Sequence, residues 1–102
     1  MDRSMIDSYH YVECHVIVAG DPMGACLPHA KTKGWWGSRL EEDGSEEEKA
    51  GDLILTTRRN TPEQAIDSIR SLAADLTVNG FKVTRGKTEV VTFDTKLGDS
   101  II

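Results

Sequence analysis

The sequence is poor in the features of a disulfide-stabilised or membrane protein. It contains only two cysteines among 102 residues, too few for a disulfide framework. No apolar run approaches the ~20 residues that a membrane helix needs, and the first residues contain no apolar stretch of signal-peptide type. We therefore expect a cytoplasmic protein with reduced thiols and no membrane association.

Signature motifs of common enzymes are also missing. The chain has no Walker loop, no Gly-x-Ser-x-Gly and no His-Glu-x-x-His, which removes the motif support for P-loop, α/β-hydrolase and zincin chemistry. Cys26 and His29 form a Cys-x-x-His pair, but no second pair has zinc-finger spacing. The sequence predicts no metal site and no cofactor.

Negative charge is concentrated in residues 41–48, which hold six acids and no base in a chain of net charge −5. The rest of the chain is close to neutral. Because like-charge runs are usually solvated, we expect an acidic hairpin loop that opposes nucleic acid. Loop-closure free energy changes slowly with length, so a short Gly-Asn turn should replace this loop without loss of stability.

Hydrophobic periodicity and turn residues predict four strands and two helices. A short helix is expected at 21–33, with Asp21 as N-cap. A longer one begins after the N-cap Thr61, where Gln64 completes a capping box, and ends at Gly80. The expected strands are 8–19, 34–40, 52–59 and 81–93.

This order, strand-helix-strand-strand-helix-strand, is that of the split βαβ or ferredoxin-like arrangement, an α+β fold. We expect a single domain over 1–102 with a C-terminal tail at 94–102. The first and third strands should be central, the last strand should pair with the first, and both helices should cover one face. The other face of the antiparallel sheet is then open to a ligand or a second subunit.

The last predicted strand has a charged centre. Arg85, Lys87 and Glu89 alternate, so they share one face of a regular strand. If they point away from the helices, Gly86 and its polar neighbours face the core, which is unusual. We expect a bulge at Gly86 that lets the apolar start of this strand pack inward while the charged residues point outward.

Short motifs scattered over most of the chain resemble a family of small, uncharacterised bacterial and phage proteins. The resemblance implies the same ferredoxin-like outline and brings no established activity. Its motifs are Glu13-x-His15-Val16, Gly34-Trp35-Trp36-x-Ser38, Leu55-Thr56-Thr57, Gly80, Arg85-x-Lys87-x-Glu89 and Asp94-Thr95.

Ionisable residues on neighbouring predicted strands suggest a binding site on the open face. Arginine and lysine favour phosphate or carboxylate, and a glutamate near a histidine orients the imidazole or favours its protonated form. We therefore predict a module that binds a small anionic molecule, such as a nucleotide, or a protein partner. A cross-strand salt-bridge ladder that keeps the face soluble is the competing interpretation. The predicted ligand-binding residues are Glu13, His15, Thr56, Arg58, Arg85, Lys87 and Glu89.

Two other functions are compatible with these residues. The first is a small hydrolase or phosphotransfer enzyme in which His15, beside Glu13, is the general acid or base. The second is an RNA-recognition-like module that stacks bases on Tyr9 and Tyr11, although the third strand lacks the aromatic motif of such modules and the acidic loop opposes RNA.

Aromatic residues on the open face also predict a homo-oligomer. Tyr9, Tyr11 and one of the adjacent Trp35 and Trp36 are residues typical of interfaces. Adjacent tryptophans point to opposite faces of a strand, so only one of them can enter the core.

Overall fold

The computed structural model describes residues 9–21, 24–44 and 48–92. The predicted tail at 94–102 lies outside the described residues. The elements in chain order are β1 (Tyr9–Val18), α1 (Cys26–Lys31), β2 (Trp36–Arg39), β3 (Leu53–Arg59), α2 (Pro62–Val78) and β4 (Val83–Thr92).

The protein is an α+β domain built on one four-stranded antiparallel sheet. The strand order is β2-β3-β1-β4, and every neighbouring pair is antiparallel. The first and third strands are thus central and β4 lies beside β1, as the sequence predicts. None of the helices in the described ranges is long and apolar enough to cross a lipid bilayer.

One face of the sheet carries the hydrophobic core, and both helices pack on it. The alternation of β1 sends every second side chain into this core, while α2 presents residues at helical spacing. The buried residues from β1 and the helices are Val12, Cys14, Val16, Val18, Cys26, Ala30, Ala65, Leu72 and Leu76.

Helix α1 is shorter than the predicted 21–33. Asp21 has a φ of 65°, a left-handed conformation that cannot belong to a right-handed helix. Its carboxylate nevertheless accepts hydrogen bonds from the backbone N–H groups of Ala25 (3.1 Å) and Cys26 (3.0 Å). The aspartate therefore caps the helix from outside it, and the helix begins five residues later than its capping side chain.

Helix α2 begins and ends where its capping residues predict. Thr61 accepts the backbone N–H of Gln64 at 3.1 Å, and the Gln64 side chain accepts the N–H of Asn60 at 3.2 Å. Gly80, with φ 88°, follows the C-cap Asn79. These two ends fix the length of the helix that covers β1 and β4.

The bulge in β4 lies at Thr84, so the predicted position at Gly86 is wrong. Val83 pairs with Val18 and Arg85 pairs with Ile17, which leaves Thr84 without a partner in the ladder. The extra residue turns the apolar start of β4 toward the helices and the charged centre away from them. The predicted consequence of the bulge is therefore present, at a different residue.

Gly86 has a different role from the one expected. It pairs with Val16, on the face of the sheet that carries the helices. A Cβ atom at this position would lie 2.6 Å from Cγ2 of Ile69 on α2, and Gly86 is not among the glycines with positive φ. The missing side chain of Gly86 thus leaves space for Ile69, and the backbone at this position does not need a conformation that only glycine adopts readily.

Both cysteines lie in the core, and we expect them to be chemically inert in the native protein. Burial, followed by the nearby Asp21 carboxylate, raises the pKa of Cys26 to about 11, and burial also raises the pKa of Cys14. Because the thiolate is the reactive form, iodoacetamide at mildly alkaline pH should modify neither cysteine until denaturant is added. Mass spectrometry measures this directly, and rapid modification of the native protein would contradict it.

Candidate functional site

The open face is the side of the sheet opposite the helices, and its centre carries ionisable side chains. Directly paired residues on neighbouring strands share a face. Glu13 pairs with both Glu89 and Arg58, and His15 pairs with both Thr56 and Lys87. Arg85 pairs with Ile17. The register therefore brings all the predicted site residues onto this face. Their side chains, however, form three separate groups.

The first group is an acid-histidine cluster of Glu13, His15 and Glu89. Nε2 of His15 lies 3.1 Å from Oε1 of Glu13 and 3.6 Å from Oε1 of Glu89. The other ring nitrogen, Nδ1, lies 3.1 Å from the Thr56 hydroxyl. Both ring nitrogens therefore have polar partners within the sheet. The His15 side chain is only 14% exposed.

The second group pairs the two cations of β4 with Glu48. The Glu48 carboxylate accepts a hydrogen bond of 2.9 Å from the Lys87 ammonium and lies 3.7 Å from the Arg85 guanidinium. Glu48 is buried, at 7% exposure. The expectation that 41–48 is a wholly solvated loop is therefore wrong for its last residue, because two cations on the open face attract its carboxylate.

Arg58 forms the third group with two aromatic rings. Its guanidinium carbon lies 4.4 Å from the ring centroid of Tyr11 and 5.8 Å from that of Trp36. Although Glu13 is directly opposite on β1, the two make no ion pair, because the Glu13 carboxylate turns to His15. Trp36 is 47% exposed, whereas Trp35 is in the core.

Residues on the helix side form a second polar region, which the sequence did not predict as a site. The His29 ring hydrogen-bonds to Asp75 across the two helices, and this hydrogen bond holds the pKa of the Asp75 carboxyl below its usual range. Cys26 is buried, so the Cys-x-x-His pair does not form a ligand cluster in the described part of the chain.

A concavity of about 310 Å³ lies beside this region, between α2 and the start of β2. Its cations and acids balance, with Lys33 and Arg59 near Asp67 and Asp75. Arg59 already donates to Ser68 at 2.7 Å. The concavity therefore offers no excess charge to a ligand.

No protein-family model matches the chain, and no curated protein or solved structure matches it significantly. The resemblance to the small bacterial and phage family stays a prediction.

Proposed function

We propose that the protein is a binding module that holds the anionic group of a small molecule at Arg58 on its open face. One observation carries this proposal. Within residues 9–21, 24–44 and 48–92, the Arg58 guanidinium makes no hydrogen bond or ion pair, and it lies against Tyr11 and Trp36 instead. A planar guanidinium can donate two parallel hydrogen bonds to a carboxylate or phosphate.

Arg58 is a better anchor than the other two cations of the predicted site. Lys87 and Arg85 share the buried Glu48 carboxylate, so an external anion would have to displace it and leave it without its partners. Removing a buried charge from its partners is unfavourable. The acid-histidine cluster, with two carboxylates, would repel an anion.

A nucleotide fits the surroundings of Arg58 because it combines phosphate with a flat ring. Trp36, 47% exposed, provides a ring surface on which a base can stack, and such stacking contributes ~1–3 kcal/mol per base. The phosphate would then bind the guanidinium edge. The ligand class we propose is therefore a nucleotide or a similar phosphorylated aromatic molecule.

The arrangement of the chain supports an open-face module. We assign it to the split βαβ or ferredoxin-like class, because the central pair β1 and β3, the edge strands β2 and β4 and the two helices on one face agree with that class. In such a sheet the face without helices is the one available to a ligand.

Thermal unfolding with ligands tests the proposal. A ligand at about ten times its Kd stabilises the native state by ~1.4 kcal/mol, which raises the Tm of a domain of this size by several degrees. We expect such a shift with AMP or ATP for the wild type and a much smaller shift for Arg58→Met. Arg70→Met, on the exposed surface of α2, is the matched control and should keep the full shift. No shift in the wild type with any nucleotide or with inorganic phosphate would contradict the proposal.

Self-association is the second candidate, and the exposure of Trp36 favours it. Tryptophan, tyrosine and arginine are the residues most enriched at interface hot spots, and Arg58, Tyr11 and Trp36 lie together. If the open face is a homo-oligomer interface, light scattering should give a dimer or larger mass for the wild type. Trp36→Ala should then shift the mass toward the monomer. A monomer at high concentration would remove this candidate.

The enzyme and RNA alternatives have less support. His15 is a poor general acid or base in this conformation, because Glu13 and Thr56 occupy both ring nitrogens. Base stacking on Tyr11 would require Arg58 to leave the ring that it covers. The side chain of Tyr9, the other residue proposed for stacking, lies outside the described side chains.

A further inference from the structure

We propose that Glu13, His15 and Glu89 bind one divalent transition-metal ion, with Zn²⁺ as the best fit. The ring nitrogen Nε2 of His15 and one carboxylate oxygen from each glutamate lie within 4.8 Å of one another. The site goes beyond the proposed anion site, because Arg58 takes no part in it.

Two of the three distances between the ligand atoms are close to those of a tetrahedral ion, and the third, between the two carboxylate oxygens, lies within 4.8 Å. Ligand atoms bound at ~2.0–2.1 Å in a tetrahedral site lie roughly 3.3 Å from one another. Nε2 of His15 is 3.1 Å from the Glu13 oxygen and 3.6 Å from the Glu89 oxygen. An ion at Nε2 would therefore draw the two carboxylates toward each other, and Glu89, 46% exposed, has room to move.

The strand register supplies an independent reason for a cation between these residues. Glu13 and Glu89 are directly opposite each other on β1 and β4, and like charges at directly opposed positions destabilise a sheet. The cations that could separate them are directed elsewhere: Lys87 to Glu48 and Arg58 to Tyr11. Only the His15 ring, among the described residues, lies between the two carboxylates.

The surroundings of His15 are those of a metal ligand. Nδ1 lies 3.1 Å from the Thr56 hydroxyl, so when an ion displaces the proton that Nε2 shares with Glu13, the ring can donate its Nδ1–H to Thr56 and direct the Nε2 lone pair to the ion. Such hydrogen bonds fix the tautomer and orientation of metal-binding histidines. Glu48 assists, because it holds the Lys87 ammonium away from the cluster.

The ligand set selects the class of ion. One imidazole and two carboxylates suit Zn²⁺ or Mn²⁺ better than Mg²⁺ or Ca²⁺, which prefer oxygen ligands alone. The cluster contains no thiolate, and Cys14 and Cys26 lie in the core, which argues against Cu⁺. Glu89 is 46% exposed, so the fourth position of a tetrahedral ion would face solvent.

Calorimetric titration of the chelator-treated protein with ZnCl₂ tests the site. We expect one equivalent of Zn²⁺ to bind and to raise the Tm. Glu89→Gln should lower the affinity at least tenfold, and it should fold normally because Glu89 is exposed. Thr56→Val, which removes only the hydrogen bond to His15, should lower it ~10–100-fold. The matched control is Glu42→Gln, an exposed acid of the 41–48 loop, which should leave the affinity unchanged.

A spectrum identifies the ligands. Co²⁺ in the same protein should give visible bands of a four-coordinate ion without the thiolate charge-transfer band of a cysteine site, and Glu89→Gln should change these bands. The absence of Zn²⁺ binding in the wild type would overturn the proposal. Equal affinities of the wild type and Glu89→Gln would overturn it too. Neither result depends on whether nucleotides bind at Arg58, so the metal proposal and the nucleotide proposal can be contradicted independently of each other.

Discussion

Substitution of Gly86 by valine should lower the free energy of unfolding by ~1–2 kcal/mol, the lower part of the range for overpacking, because Gly86 is exposed and the half-buried Ile69 is the neighbour that resists the new side chain. The new Cβ would lie 2.6 Å from Cγ2 of Ile69, a distance at which either β4 or α2 must move. Ile69 is β-branched, so its methyl group cannot swing away without a change of rotamer. Chemical denaturation, with the midpoint and slope compared to the wild type, measures the loss.

Two variants separate this clash from a general effect on the strand. Thr88→Val lies two residues farther along the same face of β4, where the side chain is exposed, and should change stability by less than ~0.5 kcal/mol. Ile69→Ala should make Gly86→Val less harmful, so a double-mutant cycle should give a favourable coupling energy. Equal stability of Gly86→Val and wild type would show that α2 moves freely on the sheet.

Local signals in the sequence were sufficient for the elements and their order. The capping residues Thr61 and Gln64 and the terminal Gly80 predicted both ends of α2. The alternation of β1 predicted a core face of Val12, Cys14, Val16 and Val18, all of which are buried. These predictions succeed because period and capping depend on residues within a few positions of each other.

The position of the bulge could not be predicted in this way. The alternation of side chains predicted a bulge in β4, because the apolar start and the charged centre of this strand must face opposite sides of the sheet. A bulge at Thr84 and one at Gly86 both meet this requirement. The choice depends on Ile69, which lies on another element and occupies the space beside Gly86. Contacts between distant segments, and not local preference, place the extra residue.

The same limit applies to the candidate site. The alternation of side chains along the predicted strands placed Glu13, His15 and Arg58 on one face of the sheet, and the observed strand register has them there. The partners were not predictable, because Arg58 faces a carboxylate across the ladder and still stacks on Tyr11. Likewise, nothing local in the 41–48 run distinguishes Glu48 from its acidic neighbours, although its carboxylate pairs with two cations of β4.

The role of Glu48 gives the loop a structural function, which reverses the expectation that a Gly-Asn turn can replace residues 41–48 without effect. Glu48, in the connection between β2 and β3, reaches Lys87 on the edge strand β4, so its carboxylate lies on the open face. Removal of the loop should therefore leave two cations without their shared carboxylate.

We expect Glu48→Ala to lower the free energy of unfolding by ~1.5–2 kcal/mol, the lower part of the range for a hydrogen bond to a charged group. The lower part applies because the partner side chains are 38% and 37% exposed, so solvent screens the pair. Glu42→Ala, an exposed acid of the same loop, should change stability by less than ~0.5 kcal/mol. Replacement of 41–48 by a Gly-Asn turn should be at least as destabilising as Glu48→Ala. If urea unfolding gave equal stabilities for the wild type, Glu48→Ala and the Gly-Asn variant, Glu48 would be an ordinary surface acid, and the ion pairs on the open face would contribute nothing measurable.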